Sequence, residues 1–113
     1  GVPAKRAEEC LDLVELTEAA NLPVAGYSLG MRRKLLLARA LLHKPPILYL
    51  DEPTANLDIH SAALVRQTLR NLVEAGSTVL LTTHNMQEVE EICDRVAILN
   101  RGKLIALDTP LSL

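Results

Sequence analysis

The sequence predicts an α/β fold built on a mostly parallel sheet with flanking helices, and three observations predict it. Ile47-Leu48-Tyr49-Leu50 is a short, continuous apolar run, the pattern of a strand covered on both faces. Thr78 to Thr82 is a second run of the same kind, and a helical pattern lies between the two. Both runs end in chemistry-bearing residues, Asp51-Glu52 and His84, and ligands of α/β sheets sit beyond the C-terminal ends of the strands.

The elements follow in order. Ala7, Leu11 and Val14 share one face of a helix over about Ala4 to Leu16, with Pro3 near its start. Leu22-Pro23-Val24-Ala25-Gly26 breaks the pattern and reads as a loop. Ser28 is placed to cap a second helix, from about Leu29 to His43, which Lys44-Pro45-Pro46 ends. After the first strand, Ala62, Val65, Leu69 and Leu72 form the inner face of a third helix, from about Ile59 to Ala75, with Gly76 as its C-terminal cap. Asn85 and Glu88 have capping-box spacing at the start of a short helix, Met86 to Cys93. Arg95 to Leu99 and Lys103 to Leu107 read as two strands joined by Asn100-Arg101-Gly102.

Composition sets the outer bounds. The chain has 113 residues, 49% of them hydrophobic, enough for a core but marginal for a domain cut from a larger one. With no Phe or Trp, that core must come from Leu, Ile, Val and Ala; Tyr49 is expected in it. A formal charge of −2 argues against nucleic acid as a partner. Cys10 and Cys93 are far apart and read as buried hydrophobes in a reducing compartment. No apolar stretch approaches a membrane-spanning length. The chain starts at Gly1 without Met and reads as part of a longer protein.

The acid pair carries the first functional signal. Two carboxylates at the end of a buried strand are costly unless they meet cations or protons. Mg²⁺ with phosphate oxygens supplies the cation, and the second carboxylate can orient or deprotonate a water. Alone, the pair is equally read as solvated acids. Ser28 and Gly30 at a helix start add an anion site, because free N–H groups and the helix dipole point outward there. Arg32, Arg33 and Lys34 read as a solvated or partner-facing surface, and Glu88, Glu90 and Glu91 as a solvated acidic face. His43 reads as a charge near a helix C-terminus or as plainly solvated, and His60 as exposed.

Together these elements resemble the ATP-binding-cassette ATPases, from about Leu11 to Pro110. Tyr27-Ser28-Leu29-Gly30-Met31, followed by Arg32-Arg33-Lys34-Leu35 and Ala38-Arg39-Ala40-Leu41, is similar to the family signature and its helix. Leu48 to Glu52 resembles the Walker B strand, Ala55-Asn56-Leu57-Asp58 the D-loop, and His84 the switch histidine. The resemblance implies the C-terminal part of a P-loop NTPase domain: residues 1–45 as part of the helical subdomain, and residues 46–113 as part of the α/β core. It implies that Asp51 holds Mg²⁺, that Glu52 is the base or water-positioning group, and that His84 contacts the γ-phosphate of ATP. Ser28, Leu29, Gly30 and Met31 would meet the nucleotide of a second ATP-binding subunit, and Asp58 would couple the two sites.

Two departures stand out. Leu29 replaces the first glycine of the commonest signature and Met31 its Gln, a form that resembles drug and antibiotic exporter subunits. No G-x-x-x-x-G-K-[ST] occurs, so this chain has no Walker A loop to cradle phosphates. The expectation is an exporter ATPase, on the inner face of the cell membrane through permease subunits, whose present chain is inactive alone. The alternatives are a soluble ATPase of the same family and a non-catalytic partner-binding fragment.

Overall fold

The computed structural model describes residues 4–43 and 45–112. Pro3 and Lys44, expected near a helix start and a helix stop, lie outside the described residues. The described residues fall into two compact units, one up to Thr82 and one from Thr83 onward.

In the first unit, helix α1 (Ala4–Leu13) is shorter than expected. It closes with Glu15 in left-handed backbone, φ 58°, so that Leu16 N–H reaches Leu11 O at 2.8 Å and Glu15 N–H reaches Asp12 O at 3.1 Å. These are the two bonds of a Schellman closure, with Glu where Gly is usual. The loop before the second helix contains two 3-10 turns, Thr17–Ala19 and Val24–Gly26. Helix α2 (Leu29–Leu41) follows, and Arg6 Nη2 of α1 donates to its Leu41 carbonyl at 2.8 Å. A cation there suits the negative end of the helix, the service considered for His43, which is exposed.

Strand β1 (Ile47–Asp51) pairs in parallel with β2 (Thr78–Thr82), in a register that sets Asp51 against Thr82. Thr78 N–H to Pro46 O (2.8 Å) and Ser77 Oγ to Pro45 O (3.0 Å) fix the start of that register. Helix α3 (Ile59–Glu74) makes the crossover between the strands and packs on α2 and β2. It ends as expected at Gly76, φ 108°, with Gly76 N–H on Val73 O and Ser77 N–H on Leu72 O. The core lies among the helices and one sheet face: Cys10, Val14, Leu16, Leu37, Ala38, Leu41, Leu48, Ala62, Val65 and Leu69 are all buried.

Two expectations fail here. The strands are covered on one face only, and Tyr49 is 70% exposed rather than core. The strand period explains both. Leu48 points inward, whereas Ile47, Tyr49 and Leu80 point the other way, where no described element covers them.

In the second unit, α4 (Met86–Ile92) is capped by Asn85, whose Oδ1 accepts from Gln87 N at 3.0 Å and Glu88 N at 3.2 Å. The reciprocal half of the expected box goes elsewhere, because Thr83 Oγ1 accepts from Asn85 N–H at 3.0 Å. Glu88 is buried, 1% exposed, which corrects its assignment to a solvated acidic face. Strands β3 (Val96–Asn100) and β4 (Lys103–Asp108) form an antiparallel hairpin. Its two-residue turn has Arg101 at φ 51° and Gly102 at φ 77°, the type I′ pattern that matches strand twist. Burial, with the charges of Glu88 and Asp94, pushes the Cys93 thiol up and leaves little reactive thiolate.

Gly76 has open space around it, so its cost of replacement is conformational alone. Gly76→Ala is expected to lower stability by about 1–2 kcal/mol. A urea titration of both proteins checks this: the midpoint drops at unchanged slope.

Candidate functional site

The site is assembled where β1 ends. Asp51 is exposed on the open sheet face, and the Thr82 hydroxyl across the register donates to its Oδ1. The next residue turns sharply, with Glu52 in left-handed backbone at φ 49°. For a residue with a side chain this costs about 1–2 kcal/mol. Four hydrogen bonds hold it there. Glu52 N–H donates to Thr82 O at 3.0 Å and to Thr82 Oγ1 at 3.1 Å. Glu52 O accepts from Ala55 N at 3.1 Å and from Arg33 Nη1 at 3.0 Å. A neutral bond contributes about 0.5–1.5 kcal/mol net, the two to Thr82 sharing the one Glu52 N–H, and the guanidinium bond about 1.5–3, together more than the turn costs.

The start of α2 is built separately. Ser28 has extended backbone, and its Oγ accepts from Met31 N at 3.1 Å, which is the expected N-cap. Tyr27, buried beside it, ties the loop down by donating its hydroxyl to Ala19 O at 2.6 Å. Ser28 and Leu29 are exposed, while Gly30 and Met31 are half-buried. Gly30 lies against the start of α3: a Cβ there would stand 3.3 Å from Ser61 Oγ and 3.7 Å from Asp58 Oδ1. Asp58 in turn caps α3, accepting from Ser61 N at 3.1 Å. The Ser61 hydroxyl first, and its amide second, hold the Asp58 carboxyl below the usual carboxylate range.

The basic run of α2 matches the solvated or partner-facing surface expected only in part. Arg33 holds the Glu52 carbonyl and Lys34 is buried at 8% exposure; Arg32 alone of the three is exposed. Successive side chains on a helix stand about 100° apart, so three consecutive cations point three ways. Arg33 and Thr82 were not recognised from sequence. The signal for Thr82 was its place at the end of the strand paired with Asp51; nothing local marked Arg33.

His84 is exposed and belongs to the second unit, two residues beyond Thr82. His60, also exposed, meets Glu15 through Nε2 and Oε2 at 2.8 Å. Among the described residues no group of three or more His, Cys, Asp or Glu could hold a metal. The donors therefore suit Mg²⁺ only in its usual manner, through one carboxylate with waters and phosphate oxygens completing the shell. Asp51 fits that part, because Thr82 occupies one oxygen and the carboxylate faces the open side of the sheet.

An acid pair turning off a parallel strand, next to a helix with a serine cap, is the frame of a P-loop nucleoside triphosphatase. The family model described as "AAA domain, putative AbiEii toxin, Type IV TA system" matches residues 3–90. The chain is 43% identical over 109 residues to the linearmycin resistance ATP-binding protein LnrL of Bacillus subtilis, covering 96% of this chain and 35% of that protein. It is 48% identical over 100 residues to the Nod factor export ATP-binding protein I of Rhizobium johnstonii, covering 88% and 32%. A solved dimeric ATP-binding cassette, in a post-hydrolysis state bound to ADP and Pi, matches with a TM-score of 0.84 at 33% identity, covering 94% of this chain and 46% of that one. Within the P-loop class, the chain belongs to the ATP-binding-cassette ATPase family. It spans about a third of the length of the curated relatives it matches.

The lowered Asp58 pKa has a definite sign. The unfolded chain takes up its proton at about pH 3.9. The folded chain takes it up only below that value. The cap therefore stabilises fully above the unfolded value and is lost as pH falls through the folded one. Asp58→Ala is expected to be less stable than the parent at pH 7, with the gap narrowing below about pH 4. Chemical denaturation at a series of pH values measures it; a constant gap would mean the carboxylate charge plays no part.

Proposed function

We propose that this chain is part of the ATPase subunit of an ATP-binding-cassette transporter, carrying the hydrolytic carboxylate, the switch histidine and the signature helix. The observation that carries the reading is the locked left-handed turn at Glu52, directly after Asp51 at the end of β1. A carboxylate on a backbone fixed from both sides is preorganised, and phosphoryl transfer depends mostly on positioning and charge stabilisation.

On this reading Asp51 would hold Mg²⁺ together with water and phosphate oxygens, and the bound ion would supply positive charge beside the phosphates. Glu52 orients or deprotonates the attacking water. His84 meets the γ-phosphate of the same nucleotide. Ser28, Leu29, Gly30 and Met31 approach the nucleotide of a second ATP-binding subunit, and Asp58 links the two sites. The contact of Gly30 with the Asp58–Ser61 cap supports that link, because the two motifs share one packed corner. Residues 1–45 serve as part of the helical subdomain and residues 46–113 as part of the α/β core.

Relatives named for linearmycin resistance and Nod factor export support export as the direction of transport. No described helix is long and apolar enough to cross a membrane. Membrane attachment then runs through permease subunits, on the cytoplasmic face.

Without a phosphate-cradling loop in its sequence, the chain by itself is expected to bind no Mg-ATP. Calorimetric titration checks this, and a clear micromolar isotherm would contradict it. In the intact subunit, Glu52→Gln is expected to cut turnover by roughly 10²–10⁴-fold, the range general base catalysis supplies. ATP affinity is expected to change little. Equal loss of affinity and turnover would remove Glu52 from the water-activating role.

A further inference from the structure

We infer that Arg33 is a positioning residue for Glu52, so that the aim of the hydrolytic carboxylate depends on the signature helix. The inference rests on the role proposed for Glu52. Arg33 sits in the second turn of α2, five residues beyond the Ser28 cap, and Nη1 donates to the Glu52 carbonyl at 3.0 Å. Glu52 has φ 49°, a conformation that persists only where surroundings over-determine it.

The four bonds on this peptide are not equivalent. Two come from Thr82, on the neighbouring strand of the same sheet, and one from Ala55, three residues further along the same turn. All three move with the end of β1. Arg33 instead reaches the Glu52 carbonyl from α2, outside the sheet and the turn, and its bond is charged. A rotation or shift of α2 therefore changes the pull on the Glu52 carbonyl while leaving the strand bonds intact. Arg33 also lines a cleft with Asp51 and Pro53, beside the end of β1. Helix α2 starts at Ser28 and Gly30, the residues proposed to meet the partner's nucleotide. Arg33 thus offers a rigid path of about one and a half helical turns from that contact to the water-activating group.

The test uses the full-length subunit with its transport partners and compares Arg33→Met and Arg33→Lys with the parent. For Arg33→Met, kcat is expected to fall by roughly 10–10²-fold, the scale of a misplaced catalytic group. KM for ATP should stay within about threefold, since no substrate contact is removed. Arg33→Lys should recover part of kcat, because an ammonium can still donate one hydrogen bond without the planar fork. Hydrogen exchange gives a readout independent of turnover: the Ala55 amide, which shares the Glu52 carbonyl, should exchange faster in Arg33→Met while amides of α3 do not. A rise in KM with kcat unchanged overturns the proposal, and so does full activity of Arg33→Met. If Arg33→Met exchanges faster at Ala55 but Glu52→Gln keeps full turnover, the clamp stands and the role of Glu52 falls. If Glu52→Gln is inactive and Arg33→Met exchanges normally, the role of Glu52 stands and the clamp falls.

Discussion

The left-handed peptide at Glu52 is the constraint on which the rest of the site depends. It ends β1 directly after Asp51 and sets the second carboxylate on a turn held from both sides, outside the strand's alternation. Asp51 keeps the strand's alternation and faces the open side of the sheet, where Thr82 holds one oxygen. Glu52 leaves the strand altogether. Its backbone is bonded to β2 on the N–H side and to Ala55 and α2 on the carbonyl side. A turn of this kind is unfavourable alone, and the enclosing hydrogen bonds more than offset it.

Packing explains why those bonds are available. The parallel register sets Thr82 opposite Asp51, and the register is fixed at the far end by Pro45, Pro46 and Ser77. Leu37, Ala38 and Leu41 of α2 and Val65 and Leu69 of α3 are buried, and the packing of the two helices holds α2 close enough for Arg33 to reach the strand end. The same packing closes Gly30 onto the cap of α3, where a larger residue would press on Ser61. Hydrophobic burial, which is non-directional, brings the elements together; a few directed bonds then decide the geometry of the groups at the strand end.

Much of this was legible beforehand. Ser28 and Asn85 cap the helices they were expected to cap, Gly76 closes α3, and the strand boundaries move by a residue at most. The acid pair and the signature helix were recognisable as short motifs. Tyr49, Glu88 and Lys34 were misread for a common reason. Burial of a single side chain depends on what lies across from it, and an apolar run such as Ile47 to Leu50 looks alike whether one face is covered or two.

Residue type and spacing alone decided the helix ends, the strand runs and the kinds of groups at the strand tips, because caps, turns and periodicity act over a few residues of chain. Folding decided which groups meet. Arg33 reaches a carbonyl 19 residues away, and Thr82 reaches a carboxylate 31 residues away. Neither pairing leaves a local trace, because contacts across that separation are set by how helices and strands pack and not by the order of residues along either segment.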